Sequence, residues 1–351
     1  MPCLDWRVKL VILIMVLPAC VGGSGVSGSF TPVCALDAST DNGDIGLGCG
    51  ATPSDAGSAQ SGSDATAGSD GGTAGLRTAA TVCNRWNADR ANLDEGAWSG
   101  NLAKCTPGAL SDSARANTLT QVNLMRYLAQ LPEVLDDPDR NTTAQACALM
   151  MHANNALSHT PPTTWKCYTA VGANGAKTSN ISSGPSVSSV QSYMIDSGAN
   201  NAKTLGHRRW ILSSSLGPIG IGGTSAQGSS CLLVIGGKGK FKRPYTAWPA
   251  PGPFPIQALA GGQGSIDQTG WSIQTDQVNL GTSKVTVSAN GQNLPVVTTV
   301  LGQGYGAQYA LSFKPQGWKS QAGVTYTVSV DKVGPQPWTY DVQMVDCAAT
   351  P

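Results

Sequence analysis

The strongest constraint on this 351-residue chain is a change of composition near residue 78. From Val21 to about Thr78 the sequence is mostly Gly, Ser, Ala and Thr, with six aspartates and no Lys or Arg before Arg77. Such a stretch cannot bury enough apolar surface to offset the entropy of ordering it. It is expected to be a disordered acidic tether over residues 20–78, with a root-mean-square span on the order of 40 Å. Any packed core must therefore come from residues 79–351, which is length enough for two ordinary domains.

The first twenty residues read as an export signal. Arg7 and Lys9 precede an apolar run, Leu10 to Leu17, that is too short to span a bilayer as a helix. The run ends in Leu17-Pro18-Ala19-Cys20, which resembles a bacterial lipobox and implies residues 1–19 as signal peptide and lipidation at Cys20. The expected location is extracytoplasmic, membrane-anchored at the cell envelope, with plain secretion as the alternative. Setting aside Cys3 and Cys20 leaves Cys34, Cys49, Cys83, Cys105, Cys147, Cys167, Cys231 and Cys347. An even number in an exported chain implies disulfides, though many pairings are open. Sequence proximity favours Cys34–Cys49, Cys83–Cys105 and Cys147–Cys167, leaving Cys231–Cys347. A net charge of +1 gives no reason to expect nucleic acid as a partner.

Periodicity divides the remainder. Ser113 to Leu131 has helical spacing, with Leu119, Val122, Met125 and Leu128 on one face. A second helix is expected from a cap at Thr142 or Thr143 to about Ser158, stopped by Pro161-Pro162. A third covers Val187 to Asp196, and a short turn His207 to Leu212, followed by strand-like runs at Pro218–Gly222 and Cys231–Ile235. Four prolines between Pro249 and Pro255 make a stiff segment, read as a domain junction over 248–268. Beyond it, short alternating runs at Trp271–Gln274, Lys284–Ser288, Val296–Val300, Ala310–Phe313, Thr325–Val330 and Thr339–Met344 predict a small Ig-like β-sandwich over 269–351.

Histidine is scarce, with three in the chain. His159 and His207 lie in Ser158-His159-Thr160-Pro161 and Gly206-His207-Arg208. Two imidazoles on separate elements can meet in one cleft, to hold a metal or move a proton, or can simply be structural. His152, seven residues before His159, would share its face on a continuous helix and reads as a third ligand or as a locally hydrogen-bonded residue. H-E-x-x-H, G-x-S-x-G and phosphate-loop motifs are all lacking. The tryptophans of the second half read as core and edge aromatics ahead of a carbohydrate platform.

Gln121-Val122-Asn123-Leu124-Met125-Arg126, Ser158-His159-Thr160-Pro161, Gly172-Ala173-Asn174, Tyr193-Met194-Ile195-Asp196 and Gly206-His207-Arg208 occur in an order similar to the CAP superfamily of cysteine-rich secretory, antigen 5 and pathogenesis-related proteins. The resemblance covers roughly Val82 to Ala247. It implies an α+β fold, with an α-β-α sandwich over 79–247, and a cleft carrying two histidines and two glutamates. By that resemblance the histidines fall on His159 and His207. One glutamate is replaced by Ala173, and the other falls on Asp196, the one candidate catalytic carboxylate. Two imidazoles and a carboxylate leave room for a zinc ion. However, Asp196 cannot both ligate and act as base, and the carboxylate missing at Ala173 argues against robust catalysis. The expectation is a binding module at the envelope for a small ligand, a peptide or an envelope component. The alternative is a metal-dependent hydrolase.

Overall fold

The computed structural model describes residues 77–225 and 228–348. The expected signal, tether, Cys20, Cys34 and Cys49 lie outside the described residues. The fold is α+β, an α-β-α layer structure followed by a β-sandwich.

The first part holds helices α1 (Ala79–Asp89), α2 (Asp112–Leu128), α3 (Pro138–Asn154) and α4 (Ala170–Thr178), then strand β1 (Ser179–Ser182). Helix α5 (Ser186–Ile195), helix α6 (Gly206–Ile211) and strands β2 (Gly220–Gly223) and β3 (Ser230–Leu233) complete it. The three strands form an antiparallel sheet in the order β1-β3-β2. Side chains alternate across this sheet because the strand period is two. Leu232 and Val234 join the core beneath α2 and α5, while Cys231 and Leu233 join a separate core with α3 and Ala176 of α4. Gly222 permits the tight packing of α3 on β2, since a Cβ there would lie 2.2 Å from the backbone of Ala144.

Helix boundaries follow capping chemistry. Asp137 caps α3, accepting from Arg140 N at 2.9 Å, and Pro138 occupies the first turn. The helix therefore starts earlier than the cap expected at Thr142 or Thr143. It ends at Asn154, with Asn155 in the left-handed region. His159 is thus in the following loop rather than on the helix. Helix α5 has no side-chain cap of its own. Glu95, far away in sequence, accepts from Val187 N and Ser188 N, each at 2.7 Å, and satisfies the N-terminal donors.

The sandwich begins before the residues expected for it. Strand β4 (Thr246–Trp248) pairs with β8 (Trp271–Thr275), and β5 (Gly252–Pro255) pairs in parallel with β14 (Trp338–Val345). The proline-rich segment read as a junction follows edge strand β4 directly and supplies edge strand β5 of the other sheet, a position where proline's missing N–H is tolerated. A small hairpin, β6 (Ala260–Gly261) with β7 (Gly264–Ser265), and the short helix α7 (Ile266–Thr269) follow. Then come β9 (Val285–Ala289), β10 (Gln292–Leu294), β11 (Val296–Val300), β12 (Tyr309–Pro315) and β13 (Thr325–Val330). The sheets run β10-β9-β13-β14-β5 and β11-β12-β8-β4.

One apolar core runs through both parts, from Val82 and Trp86 of α1 to Trp248, Trp271, Val342 and Met344 of the sandwich. The disulfides tie distant elements. Cys83 pairs with Cys347, Cys105 with Cys167, and Cys147 with Cys231. The expected neighbour pairings Cys83–Cys105, Cys147–Cys167 and Cys231–Cys347 are therefore corrected. Pairing follows element packing, because loop-closure entropy grows only slowly with separation and so imposes little preference for close cysteines. Helix α1 lies against β5 beside the C-terminal end, and α3 lies on β3.

Three disulfides among the described residues mark a protein of an oxidising, extracytoplasmic compartment. No helix among the described residues is long and apolar enough to cross a membrane. Peptide mapping without reduction is expected to recover these three bridges. Replacing Cys83 and Cys347 together by alanine should lower stability by about 2–4 kcal/mol, read as a lower urea midpoint with a steeper slope, because the unlinked unfolded chain exposes more surface. A Cys83–Cys105 peptide in the map would contradict the fold.

Candidate functional site

The site is built around the C-terminal end of α5. Asp196 caps this helix in the left-handed conformation, with φ 55° and ψ 47°, which Asp tolerates better than most side chains. Its carboxylate is buried. Oδ1 accepts from His207 Nδ1 at 2.7 Å and Oδ2 from the backbone N–H of Arg208 at 3.2 Å. The ring of Tyr193, one helical turn back on α5, stacks on His207 with centroids 5.4 Å apart. Burial pushes the Tyr193 phenol up, and its hydroxyl donates to Asn180 O at 3.1 Å. Asn180 of β1 in turn donates to His207 O at 2.9 Å. His207 is thus held from three sides.

His159 reaches the same place from the loop after α3. Its Nδ1 donates to Ala176 O at 2.7 Å, on the last turn of α4. His159 and His207 line one cleft of about 340 Å³ together with Lys177, Ser179, Asn201, Trp210 and Tyr305. Asp196 does not line it and lies behind His207. Ala173 is one turn before Lys177 on α4 and does not line the cleft. His152 is elsewhere. Its ring centroid is 6.2 Å from that of Trp98, its Nδ1 is buried without a partner, and burial lowers its pKa.

The two residues after His207 anchor the sandwich. Arg208 is fully buried, and burial lowers its pKa to about 10 against the raising effect of Asp196, so it is charged at neutral pH. Nε donates to Met194 O, Nη2 to Ile195 O and Thr269 Oγ1, and Nη1 to Gly270 O and Ser272 Oγ. The guanidinium therefore joins the end of α5 to α7 and β8. Arg209, also held near 10 by burial, donates to Thr204 O, Gly302 O and Ala307 O. It also lies over the Tyr305 ring at 5.7 Å. The loop between β11 and β12 is thereby fixed with Tyr305 at the cleft, against Gly206.

A zinc ion is a poor fit to this donor set. Each histidine offers a metal its Nε2, with Nδ1 held by a protein acceptor as is usual for a ligating histidine, so the pair supplies two nitrogens and no more. Both Asp196 oxygens are engaged behind His207. No group of three His, Cys, Asp or Glu side chains suited to a metal occurs among the described residues, and zinc sites use three or four protein ligands.

Sequence reasoning did not find Tyr305, Trp210, Ser179 or Asn201. Tyr305 carried a signal, an aromatic between glycines in Gly302-Gln303-Gly304-Tyr305-Gly306. Gly304 and Gly306 have φ of 81° and 68°, and a Cβ at Gly306 would lie 2.2 Å from Arg209 O. The other three needed the packing of β1, α6 and the segment before it.

Residues 119–231 match the family model described as CAP, Cysteine-rich secretory protein family. This segment runs from α2 through β3 and contains Asp196 and both cleft histidines, but not Tyr305. No curated protein and no solved structure matches the chain.

Two outcomes test this geometry. Arg208→Ala leaves buried carbonyls without a donor and should cost about 3–5 kcal/mol in denaturant unfolding; a cost below 1 kcal/mol, on the order of an exposed residue, would contradict the anchoring role. The second concerns His152, whose lowered pKa in the folded chain means that the unfolded chain takes up its proton first. Its contribution is fully present above about pH 6.5 and is lost as pH falls through the lower folded value. His152→Gln should flatten the fall in stability below that pH, and identical wild-type and variant profiles would refute the assignment.

Proposed function

We propose that this chain is a non-catalytic CAP-type binding module of the cell envelope, lipid-anchored through Cys20, whose cleft at His159 and His207 takes a small ligand. The observation that carries the reading is the allocation of polar groups. Asp196 orients His207 and is shut off from the cleft. Of the hydroxyl-bearing residues that line the cleft, Ser179, Thr204 and Tyr305, none has a hydrogen bond to either imidazole. A hydrolytic site of the nucleophile type needs a nucleophile paired to a base that is itself oriented; here the oriented base stands without the paired nucleophile.

The hydrolase alternative has one observation in its favour. The Asp196–His207 pair is the arrangement that holds an imidazole in one tautomer for proton transfer. His207 would then take a proton at Nε2 from a water in the cleft. Screening peptide and ester substrates with purified protein decides between the readings. The expected result is no turnover above blank, with ligand-induced shifts of the His159 and His207 ring signals in a small-molecule NMR screen. Turnover that His207→Ala and Asp196→Ala abolish would replace the binding module by the hydrolase.

The anchor has its own test. Cys20→Ala should move the protein from the membrane to the soluble fraction, because stable anchoring takes more than one acyl chain and lipidation supplies them. A wild-type protein that is already fully soluble with an unmodified N-terminus would sink the anchor.

A further inference from the structure

We infer that the cleft binds a saccharide ring; this rests on the reading of the cleft as a ligand site and names the ligand's chemistry. The first observation is the tautomer of each histidine. A carbonyl and a carboxylate can only accept, so His159 Nδ1 and His207 Nδ1 both carry the proton in their bonds to Ala176 O and Asp196 Oδ1. In the neutral ring Nε2 is then a lone-pair acceptor. Neither Nε2 has a protein partner among the described residues, and neither is a buried orphan. With both rings neutral, the cleft thus presents two fixed acceptors, which suit a ligand that donates hydrogen bonds.

Ser179 is the independent second observation. The residue is 4% exposed, lines the cleft, and its Oγ is buried with no partner in the protein. An unmet buried hydroxyl costs stability, and because Ser179 lines the cleft, a turn of its side chain brings Oγ to a ligand hydroxyl that meets it as either donor or acceptor. The walls are the third. Trp210 and Tyr305 bring aromatic surface into the same cleft, and an aromatic ring suits the apolar C–H face of a sugar while the hydroxyls around its edge bond to the polar groups. Among the lining residues Lys177 bears the one formal charge at neutral imidazole, and no carboxylate lines the cleft. Neutral or acidic saccharides are therefore admitted, whereas an amine would find no counter-ion. A volume of about 340 Å³ is at the lower end of small-molecule sites. Ile235, Trp210 and Tyr305 also give the lining apolar surface, so an acyl chain is the competitor that the test must separate from a sugar ring.

The test is titration of the purified protein with glucose, galactose, N-acetylglucosamine, glucuronate and their β-linked disaccharides. Palmitate and trialanine serve as an amphiphile and a peptide for comparison. Binding is read by calorimetry and by the imidazole nitrogen signals. At least one saccharide should bind saturably and shift both Nε2 signals. Ser179→Ala and Tyr305→Ala should each weaken it about tenfold, the worth of one hydrogen bond or one stacked ring. Ser179→Ala removes a hydroxyl with no protein partner, so its thermal midpoint should not fall. Loss of affinity at unchanged stability is a signature that a structural serine would not give. If palmitate or trialanine saturates the cleft while every saccharide fails, the saccharide inference is overturned and the binding-module reading stands. Failure of all three classes to move either histidine signal would overturn both.

Discussion

Two guanidinium groups buried among backbone carbonyls hold the molecule in its shape. Arg208 and Arg209 follow His207 directly, and their hydrogen bonds go to the end of α5, to α7 and β8, and to the loop carrying Tyr305. A buried cation is costly unless its donors are met. Here the compensation comes mostly from carbonyl oxygens that have no ladder partner of their own at helix and loop ends. A third arginine, Arg126 of α2, does the same with Pro132 O, Ile211 O and Ser213 O. It grips the far end of α6, so the short helix is clamped at both ends. Ordinary propensity would not sustain a six-residue helix in isolation.

This arrangement changes what the sandwich is for. Read from sequence, it looks like an appendage beyond a proline-rich junction. In the structure one edge strand, β4, starts ahead of that stretch and another, β5, lies inside it, the core is continuous with the helical part, and Gln274 of β8 donates back to Arg209 O and Leu212 O. One wall of the cleft, Tyr305, comes from it. The segment that matches the CAP model thus contains most of a site that Ile235 and Tyr305, from the rest of the chain, complete.

How much of this was legible in the sequence varies by element, for physical reasons. Strands β11 and β13 fall on Val296–Val300 and Thr325–Val330, as alternation of β-branched residues predicts. Helix α2 falls within a residue or three of its expected bounds because Ser111 caps a strongly periodic run. Helix α4 escaped notice because Ala170-Val171-Gly172-Ala173-Asn174-Gly175 has poor helix propensity. Those glycines are used for contact: a Cβ at Gly175 would sit 2.6 Å from Thr143 O of α3. The sequence places His159, His207 and Asp196 as candidates, but gives no hint that the carboxylate stands behind one ring instead of beside both. That depends on the left-handed turn at Asp196, a property of the backbone that no side-chain pattern announces. The cysteine pairs were beyond reach for a related reason, since they record which elements touch, and touching here is mostly long-range.

The Cys83–Cys347 bridge has a geometric consequence. Its two Cα atoms are 4.9 Å apart, although 264 residues separate them along the chain. The folded body is therefore a single covalent ring with its entrance and exit at the same point. A protease that cuts one surface loop anywhere between these cysteines opens the ring without releasing a piece of it. Whatever holds the chain ahead of Cys83 consequently keeps hold of both fragments, and the cleft, far along the ring from its closure, stays attached to the same support as before the cut.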